Sequence, residues 1–292
     1  AIRPETRLLF GETLGNPGLD VLDIPTVSAI AHEHGLPLLV DSTFTTPWLM
    51  KPLDHGADLI FHSATKFLSG HGTVVGGVLV DSGMFDWAAS HEKFGHFPEL
   101  SAPYAGFHGM VFSDESTVGA FLLRARREGL RDFGACMSPH TAWLILQGIE
   151  TLPLRMQQHM RNTEKVVEFL ASQPFVERVG HPLLESHPSH QLARKLLPRG
   201  VASVFSFDLK GTREQGKKFI ETLKIFSHLA NVGDCRSLVI HPASTTHFRM
   251  DDAALAAAGI TPGTIRLSIG LEDADDLVDD LKRAFKVAEK AA

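Results

Sequence analysis

Three short apolar runs near the start of the chain constrain its fold most strongly. They lie at 36–40, 57–62 and 74–80, and a strand-like segment at 8–12 precedes them. A helical pattern covers 24–32 and is followed by Gly, which is common just after a helix. Apolar strands joined by short helices usually pair in parallel and are covered on both faces. We therefore predict an α/β fold built on a mainly parallel sheet.

The pattern changes in the second half of the chain. A long helical periodicity covers His140 to Leu170, and Pro153 is expected to break or kink it. The segments that follow predict a smaller α+β domain, with strands at 176–179, 202–209, 237–241 and 264–269 and helices at 213–229 and 273–290. We place the domain boundary so that residues 1–158 form the large domain and 159–292 the C-terminal domain. Residues 81–115 are predicted to form a long irregular loop.

Composition excludes several classes of protein. The net charge of −6 and the lack of a basic run argue against a nucleic-acid partner. No apolar stretch is long enough to span a bilayer, and no leader-like segment is found, so a cytoplasmic location is expected. The two cysteines, Cys136 and Cys235, are expected to be reduced thiols. The sixteen histidines include no HExxH arrangement, and we expect no metal site.

A lysine and an aspartate carry the strongest chemical signal. Lys66 follows the run that ends in Ser63, Ala64 and Thr65, and glycines come soon after it. If this segment is extended, both hydroxyls face one way and can meet one phosphate. Asp41 ends an earlier apolar run. A lysine for an aldehyde and an acid for a pyridinium nitrogen are what pyridoxal phosphate requires. Taken singly, Asp41 could be a capping residue and Lys66 a surface lysine.

Two further residues are candidates for ligand contacts. Arg266 lies between apolar strand residues, where a guanidinium is costly unless it is paired. Its partner could be the carboxylate of an amino-acid substrate or an internal acidic residue. Asn16 precedes a proline that favours an extended backbone, so its amide could reach a ligand. The same Gly-Asn-Pro sequence also makes a simple turn.

These motifs resemble one known family. The segment 11–81 is similar to the Cys/Met-metabolism family of pyridoxal phosphate enzymes, and the resemblance continues through 148–156, 237–247 and 266–272. The resemblance implies the aspartate aminotransferase-like fold, fold type I, with a smaller α+β C-terminal domain. It covers nearly the whole chain.

The resemblance also implies roles for individual residues. Lys66 matches the lysine that binds the cofactor aldehyde. The remaining matches are cofactor and substrate contacts: the pyridinium partner Asp41, the ring contact Thr43, the phosphate ligands Ser63 and Thr65, Asn16 near the phenolic oxygen, and the substrate-binding residues Arg266 and Asn231.

Local features resemble the sulfhydrylase branch of this family. They are the Glu-Thr-Leu-Gly-Asn-Pro run at 12–17, the long loop at 85–112, and Asn231 where lyases usually have serine. The implied reaction joins sulfide or methanethiol to O-acetylhomoserine, giving homocysteine or methionine and acetate. Alternatives are a cystathionine γ-synthase, a methionine or cystathionine γ-lyase, and a catalytically silent oligomerisation fragment. The acyl group and the preferred thiol stay open.

One departure from the family concerns the start of the chain. The family draws a glycine-rich phosphate loop, an aromatic residue stacked on the ring, and a Tyr and an Arg lent by a neighbouring subunit from a region before this start. This sequence has one tyrosine, Tyr104, which lies in the predicted loop. We therefore expect that Ala1 is not the native start, that an N-terminal segment is absent, and that the chain alone could be inactive. The resemblance further implies a homotetramer built as a dimer of dimers.

Overall fold

Two β-sheets organise the protein. The computed structural model describes residues 1–16, 18–116, 119–257 and 259–291. Within these residues one sheet has four strands and the other has five. The strands are β1 (Leu9–Glu12), β2 (Leu38–Asp41), β3 (Leu59–Ser63), β4 (Gly77–Asp81), β5 (Val176–Gly180), β6 (Val204–Leu209), β7 (Ser227–His228), β8 (Leu238–Ile240) and β9 (Thr264–Ser268).

The first sheet has the order β1-β2-β3-β4. Strands β1, β2 and β3 are parallel, as predicted, while β4 pairs antiparallel with β3. The expectation of parallel pairing is therefore wrong for β4. The chain folds back directly after β3, because the Thr65 N–H donates to the Gly76 carbonyl at 3.2 Å. Such a return brings the next strand alongside in the opposite direction, whereas a parallel neighbour needs a crossover.

Helices connect and cover the sheets. The longer ones are α1 (Ile24–Glu33), α3 (Trp87–Phe94), α8 (Pro139–Glu150), α9 (Leu152–Ala171), α10 (His190–Leu196), α11 (Arg213–Thr222) and α13 (Ala274–Ala288). The shorter ones are α2 (Thr46–Leu49), α4 (Pro98–Ser101), α5 (Phe112–Glu115), α6 (Ala120–Arg124), α7 (Arg131–Phe133) and α12 (Asp252–Ala257). Single turns of 3₁₀ type lie at Pro52–His55, Ala105–Phe107 and Pro242–Ser244, and wider π-type turns at Ala64–Leu68 and Ala125–Leu130.

The helices agree with one sequence prediction and differ from another. The long helix predicted from His140 to Leu170 does break near Pro153, since α8 ends at Glu150 and α9 begins at Leu152. Proline is tolerated in the first turn of a helix, where its missing N–H would have no partner. The irregular loop predicted at 81–115 is wrong in part, because α3 lies within it. Trp87 and Phe112 are buried there in a small aromatic cluster that the mixed composition concealed.

The second sheet has the order β5-β6-β9-β8-β7 and is mixed. Strand β9 lies at its centre, antiparallel to both β6 and β8. Phe207 of β6 packs against Phe219 of α11 and Phe285 of α13. Helix α13 begins with acidic residues that suit its dipole: the Asp273 side chain accepts from the Asp275 N–H, and Asp275 and Asp276 lie in the first turn.

Along the chain, helix α9 lies between the strands of the first sheet and those of the second. Its buried residues Met156, Val166 and Leu170 belong to a core that includes residues of both sheets, among them Val40 and Phe207. The boundary predicted near residue 158 falls inside this helix, with the four-stranded sheet before it and the five-stranded sheet after it. The division into 1–158 and 159–292 stays a prediction. In the described part of the chain, no helix is both long enough and apolar enough to cross a membrane.

Candidate active site

A cavity opens where the parallel strands end. Because the carboxyl ends of β1, β2 and β3 meet at one edge of the sheet, Glu12, Asp41 and Ser63 are brought together there. The cavity has a volume of about 280 Å³. Its lining residues come from both halves of the chain: Glu12, Asn16, Asp41, Thr43, Phe44, Ser63, Lys66, Ala230, Asn231, Val232 and Arg266.

Lys66 enters this cavity from the turn Ala64–Leu68. Its backbone is non-helical inside that turn, with φ −92° and ψ −124°. The Lys66 Nζ donates a hydrogen bond to Asn231 Oδ1 at 2.5 Å. Burial lowers the pKa of Lys66, and the positive charge of Arg266 lowers the same pKa further. The amine is therefore held in place and loses its proton more readily than a surface lysine.

Asp41 is fixed by the backbone that follows it. Its Oδ1 accepts from the Thr43 N–H at 2.8 Å, while its Oδ2 has no hydrogen-bond partner among the residues described. The Thr43 hydroxyl in turn accepts from the Ser63 N–H at 2.9 Å, which ties the ends of β2 and β3 together. One carboxylate oxygen is thus left for a ligand.

Arg266 faces the cavity from the middle of β9. Its neighbours Ile265 and Leu267 are completely buried on the opposite face of the strand. Within residues 1–16, 18–116, 119–257 and 259–291, its guanidinium forms no ion pair and no hydrogen bond, so the internal salt bridge considered from the sequence is not formed. Burial lowers the pKa of Arg266. A partly buried cation without a counter-ion is a site for an anionic group.

Thr65 does not line the cavity. The condition under which the Ser63 and Thr65 hydroxyls would face one way is not met, because the strand ends at Ser63 and a helical turn begins at Ala64. The Thr65 hydroxyl donates to the Gly76 carbonyl at 3.3 Å and accepts from the Gly76 N–H at 3.1 Å. Ser63 lines the cavity without Thr65 beside it. That Thr65 binds phosphate stays a prediction.

Asn16 does line the cavity. Its backbone, close to the Glu12 carboxylate, lowers the pKa of Glu12, but burial and the charge of Asp41 both act more strongly in the opposite direction. Pro17, which was expected to hold Asn16 extended, lies outside the described residues. The predicted contact between the Asn16 amide and a ring oxygen remains untested.

The sequence pattern did not indicate Glu12, which lines the cavity, or Gly233, which packs against the Lys66 turn. Glu12 ends β1 beside Asp41, and its pKa is raised by burial first and by the negative charge of Asp41 second. Its position at a strand end was the same signal that identified Asp41. Gly233 packs on the Lys66 turn with φ +74°, and a Cβ there would meet the Phe67 nitrogen and the Lys66 Cβ. No local pattern marked that contact. Among the residues described, no three His, Cys, Asp or Glu side chains are grouped to hold a metal ion.

This chain is similar in sequence to a known protein family and to several of its members. The profile of the family described as Cys/Met metabolism PLP-dependent enzyme matches residues 1–286. The chain belongs to that family, whose fold is the aspartate aminotransferase-like fold type I. An O-acetyl-L-homoserine sulfhydrylase from Leptospira meyeri is 48% identical over 98% of this chain, and a homocysteine synthase from Schizosaccharomyces pombe is 44% identical over 98%. The chain spans about 66% of the length of each of these relatives.

A solved structure resembles the whole chain. It is a crystal structure of a protein from Campylobacter jejuni named as an O-acetylhomoserine (thiol)-lyase, with a TM-score of 0.91 and 38% identity. The alignment covers 98% of this chain and 67% of that one. The crystallised protein carries an N'-pyridoxyl-lysine-5'-monophosphate.

The donor set of the cavity fits pyridoxal phosphate, the cofactor of this family. A lysine amine with a lowered pKa is available for the aldehyde, and the free Oδ2 of Asp41 can accept a hydrogen bond from a protonated ring nitrogen. The unpaired Arg266 lies on the same cavity and can take an acidic group. These three groups have different chemistry, and all of them face one space.

Proposed function

We propose that the protein is an enzyme that replaces the γ-substituent of an acylated homoserine. The substrates would be O-acetylhomoserine and sulfide or methanethiol, and the products homocysteine or methionine and acetate. The observation that carries this proposal is the single cavity shared by Lys66, Asp41, Arg266 and Asn231. The names of the relatives from Leptospira meyeri and Schizosaccharomyces pombe support the choice of reaction.

Each of these cavity residues would have a separate role in binding or catalysis. Arg266 binds the α-carboxylate of the amino acid, since a guanidinium can donate two parallel hydrogen bonds to it. Asp41 keeps a proton on the pyridine nitrogen of the cofactor. Pyridoxal phosphate, when bound, supplies an electron sink for the charge left at the α-carbon. Ser63, Thr65, Thr43 and Asn16 are proposed as contacts of its phosphate and ring.

Lys66 would act as the proton carrier. Its lowered pKa supplies a neutral amine that takes the α-proton and then moves a proton at Cβ. Acetate leaves from Cγ, and the sulfur nucleophile takes its place. Asn231 would hold Nζ on its acceptor oxygen and contact the substrate.

A covalent assay and a product assay together test the proposal. The protein is incubated with pyridoxal phosphate, reduced with borohydride and mapped by peptide mass; we expect a pyridoxyl group at Lys66. Lys66→Ala should lose it, while Lys51→Ala, a change at an exposed lysine, should keep it. O-acetylhomoserine or O-succinylhomoserine is then supplied with sulfide, and homocysteine is measured. The same two esters are also supplied with cysteine, and cystathionine is measured.

The outcomes separate the alternatives. Product from sulfide and the acetyl ester supports the sulfhydrylase, and product from cysteine and the succinyl ester supports a cystathionine γ-synthase. Release of a keto acid without added nucleophile indicates a γ-lyase. A pyridoxyl group at Lys66 with no product from any pair supports the silent fragment. No pyridoxyl group at Lys66 contradicts the proposed site itself.

We also propose that the working form is a homo-oligomer, as a dimer of dimers, in the cytoplasm. Trp143, Leu146 and Leu154 of the α8–α9 pair are exposed, and such apolar surface is a common feature of subunit interfaces. Cys136 and Cys235 are both free thiols, which suits a reducing compartment. Light scattering of the purified protein would give its mass in solution, and a monomer would contradict the proposal.

A further inference from the structure

A buried arginine lies directly behind the Lys66 turn. Arg155 of α9 is only 6% exposed, and among the residues described it has no carboxylate partner. A buried cation is costly unless other groups replace its lost water. Arg155 lies in the segment 148–156, which resembles the family, and the proposed reaction uses none of the side chains of that segment.

Backbone carbonyls satisfy this guanidinium. Arg155 Nη1 donates to the Phe67 carbonyl at 2.8 Å, and Nη2 donates to the Leu68 carbonyl at 3.3 Å and to the Gly148 carbonyl at 2.6 Å. Nε donates to the Thr151 hydroxyl at 3.1 Å. Two of the four acceptors are therefore the carbonyls that come directly after Lys66.

Two glycines allow the Arg155 guanidinium and helix α8 to lie close to the Lys66 turn. A Cβ on Gly70 would collide with the Arg155 guanidinium, and a Cβ on Gly148 would collide with the Leu68 carbonyl. The Gly70 N–H closes the turn by donating to the Lys66 carbonyl at 2.8 Å. Because glycine lacks a Cβ, the arginine and helix α8 can both approach the turn at contact distance.

The same face of α9 also holds the far side of the cavity. His159 lies one turn after Arg155 and hydrogen-bonds through Nδ1 to the Ile269 carbonyl at 2.7 Å. Asn162 donates to the Gly270 carbonyl at 3.0 Å. Both carbonyls belong to the segment that directly follows β9, the strand of Arg266. One rigid helix thus bonds to the backbone beside Lys66 and to the backbone beside Arg266.

We propose that Arg155 is a positioning residue for Lys66. It fixes the Lys66 turn to α9 through the Phe67 and Leu68 carbonyls, and α9 is fixed to the Arg266 strand through His159 and Asn162. Arg155 itself touches neither the cavity nor a ligand. The role of Lys66 in this inference rests on the proposed function. The effect of Arg155 on the turn itself can be measured without any reaction.

Amide hydrogen exchange of the 292-residue chain provides the first readout. In Arg155→Met, exchange at the Gly70 amide should become about tenfold faster relative to amides of β6, because the Phe67 and Leu68 carbonyls of the turn lose their guanidinium donor. Arg155→Lys keeps the charge but lacks the planar fork, so an intermediate rate is expected. Arg161→Met is the matched control on the same helix, since Arg161 is exposed; its rates should equal those of the unsubstituted chain.

Covalent trapping provides the second readout. After incubation with pyridoxal phosphate and borohydride reduction, the fraction of label at Lys66 over other lysines should fall several-fold in Arg155→Met. It should stay unchanged in Arg161→Met. If even the unsubstituted chain takes no label at Lys66, the proposed function fails, and the amide exchange rates then decide the positioning role alone.

Two results would overturn the inference. One is a Gly70 amide that speeds up no more than the β6 amides, which makes Arg155 a residue of general stability. The other is unchanged exchange and unchanged labelling at Lys66 in both Arg155 variants. Should Arg155→Met not fold, Arg155→Lys gives the same comparison in a chain that retains the buried charge.

Discussion

Two arginines of this protein lie in comparable apolar surroundings but differ in whether the protein supplies hydrogen-bond acceptors for the guanidinium. Arg155 donates to four acceptors of its own chain, including the Phe67 and Leu68 carbonyls. Arg266 lines a cavity and has no acceptor in the described part of the chain. A satisfied buried cation contributes to the folded structure, whereas an unsatisfied one keeps its binding capacity for a ligand. Arg155 therefore belongs to the structure that supports the site, whereas Arg266 is available to bind a ligand.

The largest expected effect concerns the stability of the folded chain. Arg155→Met leaves the Phe67 and Leu68 carbonyls without a donor and the Gly148 carbonyl with only the Thr151 hydroxyl, so the free energy of unfolding should fall by about 3 kcal/mol. Arg266→Met removes a cation that pairs with nothing, and its cost should be about 1 kcal/mol or less. Urea unfolding followed by circular dichroism measures both. Equal losses for the two variants would contradict the distinction between the arginines.

Ligand affinity should show the reverse order. Arg266→Met should weaken binding of O-acetylhomoserine about 100-fold, because two charge-assisted hydrogen bonds to the carboxylate are lost. Arg155→Lys should change that affinity much less, since Arg155 does not reach the cavity. Isothermal titration of the pyridoxal phosphate-loaded protein gives both constants. An Arg266→Met variant that binds the amino acid normally would show that the carboxylate is held elsewhere.

Two glycines isolate the packing of Arg155. Gly70 has φ +72° with the Arg155 guanidinium where a Cβ would lie, while Gly95 has φ +70° and open space around it. Alanine at either position carries the backbone cost of about 1 kcal/mol. Gly70→Ala should cost roughly 2 kcal/mol more than Gly95→Ala, because the guanidinium must shift. Thermal unfolding compares the two variants, and equal melting temperatures would mean that Arg155 is free to move.

The smallest expected effect is a change in titration. Burial and the charge of Arg266 lower the pKa of Lys66, so Lys66 should react with an acylating reagent at a lower pH than a lysine of ordinary pKa in a model peptide. Arg266→Met should move this pH upward, and Arg155→Lys should leave it in place. Peptide mass mapping of labelling rates against pH measures the shift. Labelling of Lys66 that is insensitive to Arg266→Met would contradict the electrostatic link.

The same titration has a consequence for stability. The pKa of Lys66 in the folded chain lies below its ordinary value of 10.5, so the unfolded chain binds this proton more readily. The contribution of Lys66 therefore makes the folded state more stable as pH rises between the lowered value and 10.5. Above that interval the amine is neutral in both states and contributes nothing further.

Much of the site could be predicted because its residues stand at strand ends. Asp41 and Lys66 each follow an apolar run, and parallel strands deliver their carboxyl ends to one edge. The direction of β4 and the helix α3 could not be predicted this way. A strand's apolar pattern is the same in either direction, and the burial of Trp87 in α3 depends on residues from other parts of the chain.

The sequence alone determined which groups are present and near which strands they lie: an amine, a carboxylate and a guanidinium, each placed by local periodicity. The tertiary structure decided which of them are satisfied. Arg155 and Arg266 look alike in the sequence, since each is a cation flanked by apolar residues. The carbonyls of Phe67 and Leu68, which are far from Arg155 along the chain, accept hydrogen bonds from the Arg155 guanidinium. Arg266 has no such acceptors in the described part of the chain. Such partners are set by packing between elements, which a local pattern does not encode.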